Sequence, residues 1–210
     1  MMPVKFKLKS NIDNSYINFN YDDKSNIYFR LFRRLCGKLG NWETRGYRER
    51  LVKKYSFAIP SMSILKELCS YSPLVEVGAG TGYWSYLIKK CGGNIIAYDN
   101  YSWMDKGCFS HRYFDVKRKK VKAIMSTPST HKKTLFLCWP DYKTNFAYEC
   151  IQNFHGKYFI YIGESESGCT GNDRFFRLLN RKFKLIEEIE INNWWGINDQ
   201  VYIYKRNGHQ

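Results

Sequence analysis

One segment limits the fold of this chain more than any other: Leu74-Val75-Glu76-Val77-Gly78-Ala79-Gly80-Thr81-Gly82-Tyr83-Trp84. Strand-compatible residues run into three glycines at alternate positions. Glycine has no Cβ, so backbone N–H groups of such a turn approach a ligand closely. A ligand held there lies at a helix N-terminus and at the carboxyl end of a strand, where open α/β sheets bind nucleotides. The E-x-G-x-G-x-G spacing, with Glu76 inside the strand, differs from the dinucleotide fingerprint G-x-G-x-x-G.

The flanking sequence agrees with a strand–turn–helix–strand unit. Ser72-Pro73-Leu74-Val75-Glu76-Val77 reads as a strand entered through a proline. Tyr83 to Lys90 reads as a helix, with Trp84, Leu87 and Ile88 on one face. Gly92-Gly93 stops it, and Asn94 to Asp99 reads as a second buried strand ending in an acid. Asp99 follows Gly82 by 17 positions, which suits an acid that accepts hydrogen bonds from ribose hydroxyls.

Beyond this unit the β-α alternation continues. Strands are predicted near 113–116, 133–140, 157–164, 183–191 and 200–205, with helices over 146–154 and 172–181. Upstream, helices are predicted over 26–39, with Ile27, Leu31 and Leu35 as its apolar face, over 43–55, and after Ile59-Pro60-Ser61. Residues 1–25 are polar and Asn-rich, with weak alternation at Ile17, Phe19 and Tyr21, and read as an arm or an edge hairpin. The expected organisation is an N-terminal arm and helical extension over 1–57 and one α/β domain over 58–210.

The glycine turn, Asp99 and the terminal strand pair together resemble the class I S-adenosylmethionine-dependent methyltransferases, over roughly residues 58–206. The resemblance implies a doubly wound, mostly parallel seven-stranded sheet with an antiparallel last strand. It implies S-adenosylmethionine as cofactor, S-adenosylhomocysteine as product, and no metal. Cofactor contacts are implied for Glu76, Gly78, Ala79, Gly80, Gly82, Tyr83, Trp84 and Asp99, and at the adenine for Asp115. The fourth-strand motif of this family falls on Trp139-Pro140-Asp141-Tyr142. Amino-methyltransferases carry Asp, Asn or Ser, then Pro-Pro and an aromatic residue there. Acceptors around an exocyclic amine localise its lone pair, and the aromatic ring stacks on the base. Here Pro140 offers a carbonyl and Tyr142 a ring, but Trp139 has no acceptor and Asp141 replaces the second proline. Trp139, Pro140, Asp141 and Tyr142 are the expected catalytic residues. Ile59-Pro60-Ser61 and Gly82-Tyr83-Trp84 are similar to segments of a little-characterised branch with Trp-Pro-x-Tyr at this position. Glu164, Trp194 and Trp195 are expected at the substrate side of the same rim.

A formal charge of +15 on 210 residues implies attraction to a polyanion, nucleic acid first among them. Solubility and an AT-rich coding bias are the alternative readings of such a charge. Basic residues interleave with Phe29, Phe32, Trp42, Tyr47 and Tyr55, which suits phosphate contact with base stacking, or a helix whose aromatic face packs inward. The expected activity is methylation of nucleic acid, with an adenine N6 amine in RNA or DNA as one acceptor. Methylation of a protein or small molecule, and a non-catalytic nucleic-acid-binding scaffold of the same fold, are the alternatives. Seven cysteines without a C-x-x-C pair and the lack of a long apolar run lead to an expectation of a reducing, cytoplasmic setting with no membrane span. His111, His131, His155 and His209 show no metal spacing.

Overall fold

The computed structural model describes residues 26–39, 43–102, 109, 111–166 and 168–208. The N-terminal alternation at Ile17, Phe19 and Tyr21, together with Trp42, Cys108 and His209, lies outside them. In chain order the elements are α1 (Ile27–Cys36), α2 (Arg45–Lys54), α3 (Met62–Ser70), β1 (Leu74–Val77), α4 (Tyr83–Lys90), β2 (Ile95–Asp99) and β3 (Val116–Arg118). There follow α5 (Val121–Met125), a 3-10 turn (Pro128–Lys132), β4 (Thr134–Cys138), α6 (Phe146–Asn153) and β5 (Tyr158–Gly163). The chain closes with α7 (Asp173–Lys182), β6 (Phe183–Glu190) and β7 (Gln200–Arg206).

The strands form one sheet in the order β3-β2-β1-β4-β5-β7-β6. β1 pairs in parallel with β2 and with β4, and β5 pairs in parallel with β4. β7 runs antiparallel between β5 and β6. The strand order reverses between β1 and β4, which opens a crevice at their carboxyl ends. Leu74 to Val77 and Thr134 to Leu137 are buried throughout, because helices cover both faces of a parallel sheet. The edge strand β6 is instead exposed over most of its length, and its charges Lys184, Glu187, Glu188 and Glu190 discourage pairing with another chain.

The two faces carry separate clusters. Val75, Val77, Leu135, Leu137 and Phe159 pack with α6 and α7 on one side. On the other, Phe136 and Ile160 meet α3 and α4, and α1 joins the same cluster through Tyr28 and Phe32. The face of α1 is therefore one position off the expected Ile27-Leu31-Leu35 stripe, and Ile27 is 48% exposed. The reason is chemical: the Tyr28 hydroxyl takes the Trp194 indole N–H at 2.9 Å, so the polar-tipped ring goes in and the aliphatic Ile27 stays out. Phe32 and Tyr55 are buried too, so they belong to an inward aromatic face rather than to an exposed stacking surface.

The helix at 121–125 and the 3-10 turn fall in a stretch without clear periodicity, which short elements of five residues do not reveal. The entry of α7 is capped by Asn172, whose side chain accepts from the Phe175 N–H at 3.0 Å. Thr170, two residues upstream, bonds Tyr161 and the backbone of Glu164.

Candidate active site

A cavity of about 870 Å³ opens at the carboxyl ends of β1, β2 and β4, lined by residues of the glycine turn, Asp99 and the 139–142 segment. Gly78, Gly80 and Gly82 have φ of +78°, +54° and +73°, a region that L side chains rarely adopt. A Cβ at Gly78 would sit 2.8 Å from the Phe146 ring, and one at Gly80 would sit 2.9 Å from the Phe109 ring. These two glycines thus keep a narrow space between backbone and aromatic rings. Gly82 does a different job. A Cβ there would strike Val116 and Phe114, and the residue lies outside the cavity lining.

Four of the turn's amides are engaged within the protein. Gly78 and Ala79 donate to the Tyr98 carbonyl, Gly80 donates to the Asp99 carboxylate at 2.8 Å, and Gly82 donates to Ala79. The Tyr101 amide donates to the other Asp99 oxygen at 2.6 Å. Two backbone donors therefore fix the orientation of Asp99 at the end of β2. Glu76 lies fully buried in the cavity floor and accepts from the Ser85 hydroxyl at 2.5 Å. Burial, helped by the nearby Asp99 charge and opposed by the Ser85 bond, pushes its carboxyl up to about 8. Trp84 is buried beside it, and its indole N–H has no hydrogen-bond partner among the described residues.

At the end of β4, Trp139 takes φ +55° and its indole N–H meets both oxygens of Asp199. Its ring lies flat against Phe57, 4.6 Å between centroids, with the Arg48 guanidinium 5.6 Å away. Asp199 is pushed up to about 7 by burial, against the Trp139 bond. The Pro140 carbonyl, expected to face an amine, accepts the Gly171 N–H at 2.8 Å, because Asp141 and Thr170 form a β-bridge. Asp141 is exposed, with one oxygen taken by the Lys143 amide at 2.9 Å. Tyr142 is 45% exposed at the mouth.

Of the residues read from sequence, Glu76, Gly78, Ala79, Gly80, Trp84, Asp99 and the four of the 139–142 segment come together around the cavity. Others stand apart from its lining. Tyr83 is buried in a tyrosine cluster and bonded to Asn26. Asp115 is exposed before β3. Glu164 accepts from the Cys169 and Asn198 amides. Burial pushes Glu164 up, but these bonds and the Arg48 charge outweigh it and leave the carboxyl below its ordinary value. Trp194 is buried against Tyr28 and Phe32, and Trp195 is half exposed outside the lining. Phe57, Phe109 and Phe146 line the cavity without having been signalled, since none sits at a motif position, and Lys119 and Lys120 of the basic run at 117–122 line it too. Among the described residues no cluster of His, Cys, Asp and Glu has the makings of a metal site, and no helix is long and apolar enough to cross a membrane.

The structure resembles magnesium protoporphyrin IX methyltransferase of Synechocystis PCC 6803, solved with bound SAM: TM-score 0.50, 10% identity, 86% of this chain and 97% of that one. The fold is that of a SAM-dependent methyltransferase. Two further likenesses are weaker. One is the N-methyltransferase NodS from Bradyrhizobium japonicum WM9, with TM-score 0.47, 10% identity, and 70% and 94% of the two chains. The other is a Streptococcus mutans protein presumed to be SAM-dependent, with TM-score 0.45, 9% identity and 70% of this chain, which spans only 49% of that one. No family model and no curated protein matches the sequence.

Proposed function

We propose that the chain is an S-adenosylmethionine-dependent methyltransferase whose acceptor is a nucleic acid. The observation that carries the cofactor reading is the cavity wall: two Cβ-free, positive-φ glycines, with Asp99 held by two amides on one side and the buried Glu76 below. Such a wall suits a nucleoside with an amino-acid tail. Asp99 would hold the ribose, Gly78 and Gly80 would admit the close approach, and Glu76 with Trp84 would face the polar tail. When bound, the cofactor supplies a sulfonium methyl that is already electrophilic. The protein's part is then to align an acceptor and exclude water.

Support for a nucleic-acid acceptor comes from the +15 charge, the lysines Lys119, Lys120 and Lys143 along the cavity, and the open ring of Tyr142. An exocyclic amine of the adenine N6 kind would find the exposed Asp141 carboxylate, rather than Trp139, as its acceptor. Trp139 is committed to Asp199 and acts as a wall. Titration calorimetry with S-adenosylmethionine and S-adenosylhomocysteine tests the first half, and sub-millimolar binding that Asp99→Ala weakens is expected. A chain that binds neither compound is not a methyltransferase. Transfer of a labelled methyl group to RNA, DNA and protein then identifies the acceptor.

A further inference from the structure

A second, smaller groove of about 350 Å³ adjoins the main cavity, and Tyr142 lines both. Its other walls come from Gly168, Gly171 and the start of α7, where Arg174 and Arg177 face it with Asp173 as the sole acid. Asn172 ties this wall to the cavity mouth by donating to the Thr144 carbonyl at 2.7 Å. The groove is therefore built on the same rim as the candidate catalytic segment. Arg174 is held over the Tyr148 ring at 4.5 Å, and Lys143 lies 5.6 Å from the Tyr142 ring. Across the cavity, Lys119 and Lys120 are exposed in its lining. Among the described residues none of these five cations forms an ion pair.

We infer that this rim is a track for a single-stranded polynucleotide, running from Lys119 and Lys120, across the cavity mouth at Tyr142, to Arg174 and Arg177. The inference rests on the nucleic-acid reading above and adds the strandedness and the path. Cations on both sides of one opening match a backbone that carries a charge at every nucleotide, and an isolated anion would need only one side. Planar guanidinium groups pair with phosphate oxygens through two parallel hydrogen bonds. Between the cationic ends stands the half-exposed Tyr142 ring, a face on which a base stacks whatever its identity. Stacking on a side chain requires a base that has left its own stack, as in a single strand, and the cavity behind Tyr142 is recessed enough to take the neighbouring base.

The test is fluorescence anisotropy with a labelled single strand of about 16 nucleotides, as RNA and as DNA, and its duplex, across a salt series. The proteins are the wild type, Arg174→Ala/Arg177→Ala, Arg174→Lys/Arg177→Lys, and Lys89→Ala/Lys90→Ala. The last pair is exposed in the final turn of α4, away from the groove. S-adenosylhomocysteine affinity, equal in all four, shows that each is folded. The double alanine variant is expected to bind a single strand on the order of tenfold more weakly at low salt, with a salt slope shallower by about 1.4. The lysine pair should restore the slope, and Lys89→Ala/Lys90→Ala should match the wild type. Wild-type affinity and slope in the double alanine variant overturn the track but leave the nucleic-acid reading standing. Preference for the duplex overturns it as well. A wild type that binds the homocysteine product but no oligonucleotide removes both.

Discussion

The indole N–H of Trp139 reaches both carboxylate oxygens of Asp199, at 2.8 and 2.7 Å. This bond joins the end of β4 to the loop before β7, two segments 60 residues apart. Asp199→Ala leaves the indole donor without a partner in a half-buried place, which costs about 1–3 kcal/mol. Trp139→Phe removes the donor that offsets part of the burial cost of Asp199, so it destabilises as well. Urea denaturation of both single variants and the double should show a coupling of at least about 0.5 kcal/mol. Additive effects would mean that the pair does not act as a unit.

The two raised carboxyl groups give stability a particular pH dependence. Glu76 rises from 4.5 to about 8 and Asp199 from 3.8 to about 7, burial being the first cause in both. From pH 5 to 7 the folded chain keeps protons that the unfolded chain has lost. Stability from these groups is therefore full below their ordinary values and declines as pH rises toward the raised ones. Each contributes a loss on the order of 2 kcal/mol over pH 5 to 7. Denaturation at the two pH values should show the wild type weakening, and Glu76→Gln should weaken less because its share is gone. A variant slope equal to that of the wild type would falsify the assignment for Glu76.

Much of the sheet and half of the site were legible because they are local. The apolar run, the alternating glycines and the following amphipathic turn of 74–90 dictate a strand, a left-handed turn and a helix through neighbouring residues alone. Asp99 was placed by the next strand's end. What pairing brings in from afar was not legible. The Pro140 carbonyl is used by Gly171 because 141 and 170 bridge, and Trp139 turns toward Asp199 across the sheet. Glu164, Trp194 and Trp195 are outside the cavity lining, the first two held by side-chain bonds and packing with Cys169, Asn198 and Tyr28. Phe57 is a cavity residue only because the chain before α3 folds over β4.

The glycines separate binding from stability. Gly78→Ala forces a side chain to φ +78° and onto the Phe146 ring, so it should cost about 1–2 kcal/mol and weaken S-adenosylhomocysteine binding. Gly82→Ala meets Val116 and Phe114 instead, and its affinity loss should follow its stability loss alone. Gly46, in α2 with open space around it, is the control: Gly46→Ala should stabilise by about 0.5–1 kcal/mol and leave binding unchanged. Thermal melts with calorimetry on the three variants decide this. Gly82→Ala losing affinity while keeping its melting temperature would place that glycine in the binding wall after all.

Tyr142 should separate the acceptor from the cofactor. Its ring is 45% exposed and stands at the mouth rather than in the core, so truncation changes stability by no more than about 0.5 kcal/mol. The glycine wall, Asp99 and Glu76 lie deeper and are untouched, so S-adenosylhomocysteine affinity should stay at the wild-type value. A lost base–aromatic stack of about 1–3 kcal/mol corresponds to roughly a five- to 150-fold weaker acceptor, seen as a raised KM for an oligonucleotide that accepts methyl groups. Tyr142→Phe keeps the stacking face and should retain most of the activity. If Tyr142→Phe is as impaired as Tyr142→Ala, the hydroxyl and not the ring is what the acceptor uses, and the stacking role is wrong.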